Sequence, residues 1–191
     1  MELVDRVRLA EATECASEAL SGVVAENLFR LMSYKDEYEV ARLYSEPAFT
    51  AQLAATFEGD YRLQLHLAPP FLPAGRDARG YPVKRAFGAW ILPLFRLLRH
   101  GKRLRGTRLD PFGHHPDRRL ERELLAEYIE LVEEVLGGLD PERHALAREL
   151  LDLPSRVRGF GPVKARAAAQ MRERRERLLG QWRRTDTTLP A

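Results

Sequence analysis

Residues 117–136 read DRRLERELLAEYIELVEEVL. Leu120, Leu124, Tyr128, Leu131 and Val135 recur every three or four positions, with Arg and Glu filling the intervals. That period draws one apolar stripe along a helix and predicts a long amphipathic α-helix with one buried face. Most of the chain follows the same rule. Leu3, Val7 and Ala10 place a first helix over residues 1–19. Residues 21–33 continue with Val24, Leu28, Leu31 and Met32 on one stripe and Ser21 as N-cap. A third helix over 36–44 stops before Pro47, and FTAQLAATF (49–57) gives a short fourth ended by Gly59. Residues 84–100 read as helix with a kink or break at Pro93. Asp140 and Pro141 open another as N-cap and N1, running to Leu151 ahead of Pro154. GFGP (159–162) introduces the last helix, with Val163, Ala167, Met171, Leu178 and Trp182 on one side. A period of two occurs in YRLQLHL (61–67), where Tyr61, Leu63, Leu65 and Leu67 alternate with polar residues; this predicts a half-buried strand that needs a partner. Residues 68–82 and 101–116 read as loops, and the tail RRTDTTLPA (183–191) as disordered. The expected fold class is mainly α, a helical domain with a minor β element near 61–67.

The 191 residues, 45% hydrophobic, suit one domain or one domain with a helical arm. Cys15 is the single cysteine, so an internal disulfide and a CxxC zinc site are excluded and a reducing cytoplasm is expected. The start, MELVDRVRLAEATE, lacks the apolar core of a signal peptide. The longest apolar run, AFGAWILPLFRLL (86–98), is too short to span a bilayer and contains Pro93 and Arg96.

The net charge of +3 conceals strong segregation. Residues 1–60 carry 5 basic and 12 acidic side chains, and residues 78–109 carry 9 basic and no acidic ones. Residues 117–149 have 5 basic against 10 acidic, and residues 164–184 have 8 basic against 2 acidic. Blocks of opposite sign either dock on one another or meet an oppositely charged partner.

Three stretches carry candidate chemistry. YKDEYEVARLY (34–44) crowds Asp36, Glu37 and Glu39 between tyrosines. On a helix Asp36 and Glu39 share a face, Glu37 points elsewhere, Lys35 sits four before Glu39, and Asp36 at the N-terminus complements the helix dipole. These relations account for the cluster as a solvated or interfacial face; an acid–base pair would require burial or like-charge crowding as well. HHPD (114–117) brings His114, His115 and Asp117 near Glu121, but adjacent histidines in a loop do not converge as metal ligands on one helix face do, and no metal site is expected. RVRGFGPVK (156–164) places Gly159 and Gly161 ahead of a helix N-terminus, with Arg158 and Lys164 nearby; KRLRGTR (102–108) offers Arg103, Arg105, Gly106 and Thr107. Both fit either an anion-binding loop or a turn that only aims a helix. The basic block also admits nucleic acid or a membrane surface, although no nucleic-acid-binding motif is visible and the acidic helices would repel phosphate. The last helix interleaves Arg and Glu beside an apolar stripe, which favours packing on protein.

NLFRLMSYKDEYEVARLY (27–44), FEGDYRLQLHLAPP (57–70), KRAFGAW (84–90), LRGTRLDPFG (104–113) and LPSRVRGFGPVK (153–164) occur in this order. Together they resemble the C-terminal domain, itself of unknown function, of the indolepyruvate ferredoxin oxidoreductase family, over roughly residues 22–180. The resemblance implies membership in an enzyme that converts aryl-pyruvates to aryl-acetyl coenzyme A and passes electrons through iron–sulfur clusters to an acceptor. It implies that residues 1–20 are the helical tail of a preceding gamma-type oxidoreductase domain, that 21–182 form the accessory domain, and that the chain is a fragment or separately encoded piece. Thiamine diphosphate and the clusters would sit in other domains or subunits. With Cys15 alone, this chain cannot supply a four-cysteine cluster. No catalytic residue carries over. The hallmark Tyr34, Lys35, Asp36, Glu37, Tyr38, Glu39, Arg42 and Tyr44 would fix structure or dock on the gamma-type domain through Tyr38, Arg42 and Tyr44. The basic loops 102–108 and 156–164 would meet coenzyme A phosphates or an acidic ferredoxin. The alternative expectation is a free-standing binding module for an anionic partner, whether nucleic acid, acidic protein or phosphate ligand.

Overall fold

The computed structural model describes residues 2–69, 75, 77–78, 80 and 82–186. Along them the chain forms α1 (Glu2–Cys15), α2 (Ala19–Met32), α3 (Glu37–Ser45), α4 (Pro47–Thr56), β1 (Gln64–Leu67), β2 (Arg85–Gly88), α5 (Leu92–Leu98), α6 (Pro116–Leu136), α7 (His144–Leu151) and α8 (Pro162–Asp186). Short 3-10 segments cover Ala89–Ile91, Arg99–Leu104 and Leu153–Arg156. The fold is mainly α with a minor β element, and it divides into two compact units. One contains α1, α2 and the chain from Leu120 onward; the other is Lys35–Arg119.

The helical unit is built on the periods read from the sequence. Leu124, Tyr128, Leu131, Val132 and Val135 of α6 join Val7, Leu20, Val24, Leu31, Ala147, Leu150, Leu151, Leu153, Met171, Leu178, Leu179 and Trp182 in one buried cluster. Burial of this apolar surface, at roughly 25 cal/mol per Å2, is its main source of stability. Arg143 lies over the Trp182 ring, 4.7 Å from its centroid. The opposite charge blocks answer each other here. Arg172 of α8 reaches Glu127 of α6 at 2.6 Å, Arg175 reaches Glu127 at 3.0 Å, and Arg183 reaches Glu134 at 2.8 Å. Val163 departs from the expected stripe and is exposed, because the first turn of α8 lies outside the buried cluster. The tail expected to be disordered begins as helix: α8 continues through Asp186, and residues 187–191 lie outside the described part.

The second unit has its own smaller core of Ala41, Leu65, Ile91 and Phe95, flanked by Tyr44, Leu63, Leu67, Phe87, Leu92 and Leu98. β1 finds its partner in β2, antiparallel, with Leu65 opposite Phe87 and His66 opposite Ala86. Residues 85–88 are therefore strand and not the start of a helix, and part of the expected loop 68–82 lies outside the described residues. Pro93 is the second residue of α5 and does not kink it, standing in the first turn where a missing N–H costs nothing. The loop expected over 101–116 starts as the 3-10 segment Arg99–Leu104.

Gly101, in that 3-10 segment, tests the packing of this unit. A Cβ built there would lie 2.6 Å from a ring carbon of Tyr38, which is itself buried and fixed. Gly101→Ala is expected to destabilise the unit by about 1–3 kcal/mol through overpacking. Urea denaturation checks this, and a change within about 0.5 kcal/mol of wild type would show that the ring moves aside freely.

Candidate functional site

The hallmark helix α3 is capped by Asp36, whose carboxylate accepts from the Tyr38 amide at 3.0 Å. Asp36 thus stands outside the helix as its cap and also pairs with Arg105, while Glu39 is matched to Arg42 and not to Lys35, which is exposed. Glu37 is engaged by Arg118 at 2.9 Å. Arg42 donates through Nε to Glu39 at 2.9 and 3.0 Å and pairs as well with Glu46. Tyr44 packs edge-on against Phe49 at 4.9 Å and tilted against Phe95 at 6.1 Å. Tyr34 is half-buried.

Tyr38 is buried, sits edge-on to Phe112 with centroids 5.2 Å apart, and donates its hydroxyl to Asp110 at 2.9 Å. Burial pushes the phenol up from its ordinary value, and the Asp110 carboxylate adds to the rise. Asp110 is buried too. Burial alone would raise its carboxyl, but hydrogen bonds from Tyr38, Gly106, Phe112 and Gly113 outweigh it and leave the group below the usual carboxylate value.

This geometry bears on the loop 102–108. Gly106 adopts φ +76°, and its amide points at Asp110 at 3.3 Å while the Phe112 amide reaches the same carboxylate at 3.1 Å. The anion gathered by this loop is the protein's own Asp110. Arg105 pairs with Asp36, and the Thr107 hydroxyl donates to Leu104 O at 2.7 Å. Arg103 remains exposed. In the helical unit, Gly159 (φ +92°) and Gly161 (φ +53°) form the turn before α8. Arg158 donates to Ser155 O at 3.3 Å, and Lys164 reaches Glu121 at 3.2 Å. The candidate anion loops thus lie in different units, and Arg105, Gly106, Thr107, Arg158 and Lys164 already have protein partners.

Sequence reasoning missed the most deeply buried charge in the helical unit. Glu11 of α1 is fully buried and accepts from the Leu20 amide at 2.8 and 2.9 Å, from the Ser21 amide at 3.2 Å, and pairs with His144 Nε2 at 2.8 Å. It is the cap that Ser21 was expected to supply; the Ser21 hydroxyl instead donates to Glu18 O. Burial would raise the Glu11 carboxyl, but His144, Leu20, Ser17 and Ser21 hold it below its ordinary value. α7 also begins later than expected. Asp140 accepts from the Arg143 amide at 2.8 Å, closing a turn, and the helix starts at His144.

His114 reaches Arg108 O at 3.3 Å, and His115 stands 3.8 Å from Asp117. Among the described residues no three His, Cys, Asp or Glu side chains are grouped to hold a metal ion. A cavity of about 10 Å3 in the helical unit, lined by Leu31, Tyr128, Met171 and Arg175 among others, has room for one water molecule. No helix among the described residues is long and apolar enough to cross a membrane.

A family model described as a family of unknown function, DUF6537, matches residues 1–177. The chain belongs to this family. The match takes in both units of the DUF6537 chain, including α1 and all of the hallmark segments. No curated protein and no solved structure matches it.

Proposed function

We propose that this DUF6537 chain is a non-catalytic accessory domain of an indolepyruvate (aryl-pyruvate) ferredoxin oxidoreductase in the cytoplasm, supporting assembly of the enzyme. The ordered hallmark segments support the oxidoreductase connection. The observation that supports a structural role is the Tyr38–Asp110 hydrogen bond at 2.9 Å with its surrounding pairs Asp36–Arg105 and Glu37–Arg118. These hallmark side chains are committed to partners within the same compact unit, in keeping with a scaffold. Thiamine diphosphate and iron–sulfur clusters belong, on this reading, to the other domains or subunits, which are also its partners. The donor set agrees, because Cys15 alone cannot ligate a cluster that takes four thiolates.

The test is immunoprecipitation from the native source with an antibody to this chain, assayed for indolepyruvate- and coenzyme A-dependent dye reduction. Activity in the precipitate, lost from cells in which the chain is deleted, is the expected result. A precipitate holding the chain alone and no activity would overturn the reading.

A further inference from the structure

The 3-10 turn Ala89–Ile91 and α5 bury one face and leave the other bare. Ile91 and Phe95 are buried, whereas Trp90, Leu94 and Leu97 are 66%, 50% and 71% exposed. Positions 90, 94 and 97 fall at helical spacing and form one apolar ridge two turns long. Arg96, Arg99 and Lys102 follow at intervals of three along α5 and the 3-10 segment Arg99–Leu104, with Arg103 beside them. They lie in the stretch 78–109, which has nine basic residues and no acidic one. Arg96 and Arg103 make no ion pair among the described residues, although most arginines of α8 are answered by glutamates of α6 and α7.

We infer that this ridge docks an acidic amphipathic helix of a partner protein. The partner's apolar side would cover Trp90, Leu94 and Leu97, and its carboxylates would meet Arg96 and Arg103. The chain itself uses this chemistry where acidic, amphipathic α6 meets basic α8. The planar guanidinium matches carboxylates in paired hydrogen bonds, and the cations here are mostly arginine. Trp and Arg are also the side chains that carry most of the energy at protein interfaces. Lipid binding scales with buried apolar area, and three side chains over two turns offer little. The inference is carried by this face alone and does not depend on the oxidoreductase reading.

Trp90 reports directly on the ridge, because Trp182, the chain's other tryptophan, is only 3% exposed. The full chain is titrated with a helical peptide of Leu on one face and Glu on its flanks, with the same peptide carrying Lys for Glu, with phosphatidylserine vesicles, and with duplex DNA. The Glu peptide is expected to give a saturable blue shift of Trp90 emission. Arg96→Glu with Arg103→Glu should weaken it about tenfold or more, and the same doubly substituted chain should gain affinity for the Lys peptide. Leu97→Asp should weaken the Glu peptide as well, with circular dichroism showing each variant folded. No saturable shift with the Glu peptide, a shift indifferent to these substitutions, or a response to vesicles or DNA alone would overturn the inference.

Discussion

Replacing Glu11 by alanine is expected to destabilise the helical unit by about 3–5 kcal/mol, the scale of leaving several hydrogen-bond donors without their buried acceptor at once. The carboxylate satisfies the first amides of α2 and binds His144, so this fully buried group ties α1, α2 and α7 together. Alanine would leave two N–H groups and an imidazole without their acceptor, and each buried orphan costs about 1–3 kcal/mol. Glutamine keeps the shape and one acceptor, and its cost should be smaller, about 1–2 kcal/mol. The pH dependence has a definite sign. The folded carboxyl titrates below its unfolded value, so its contribution is fully present above the unfolded pKa of about 4.3 and is lost as the pH falls through the lower folded value. The gap between wild type and Glu11→Gln should therefore be widest near neutrality and narrow in acid below about pH 4. Urea unfolding followed by Trp182 fluorescence, in a Trp90→Phe background, reads this unit. An alanine variant within about 0.5 kcal/mol of wild type would mean that water replaces the carboxylate without cost.

What the sequence made legible depended on distance along the chain. Long stripes such as Leu124–Tyr128–Leu131 state their own period, and α6 and α8 formed where that period placed them. Charge blocks 117–149 and 164–184 left open whether they dock on one another or on a partner; Arg172–Glu127 and Arg183–Glu134 show the first. KRAFG was different. Arg85 and Ala86 are both exposed and Phe87 and Gly88 both half-buried, so β2 lacks the alternation that marks a strand. It is a strand only because Gln64–Leu67 lies beside it, a relation between distant segments. Asp140 was read with the right chemistry at the wrong element: its hydrogen bond to the amide three residues on closes a turn and not a helix. Glu11 looked like any solvated glutamate of an acidic helix, since its partners lie 9 and 133 residues away. The hallmark cluster was legible as a helix with Asp36 at its N-terminus, although Glu39 pairs with Arg42 and not with Lys35. Its tie to Asp110, 72 residues on from Tyr38, was not.

That tie carries the second large prediction. Asp110→Ala is expected to cost the Lys35–Arg119 unit about 3 kcal/mol, because it strips the acceptor from the Tyr38 hydroxyl and from the Gly106 and Phe112 amides together. Tyr38→Phe removes one donor and leaves the carboxylate its amide partners, so its cost should be nearer 1–1.5 kcal/mol. The two groups touch, so the double variant should cost less than the sum of the singles, with a coupling of about 1–2 kcal/mol. Urea titration followed by circular dichroism of the four proteins gives that cycle. A scaffold role requires both single variants to lose stability and to lose oxidoreductase activity only in proportion to the unfolded fraction. If Asp110→Ala melted like wild type while activity in the immunoprecipitate disappeared, the carboxylate would be acting on a partner or a reactant. The accessory reading of α3 and its loop would then fail at its centre. If the coupling is found and activity follows folding, Tyr38 of YKDEYEVARLY holds the loop 106–113 in place, with Asp110 as its fixed anion.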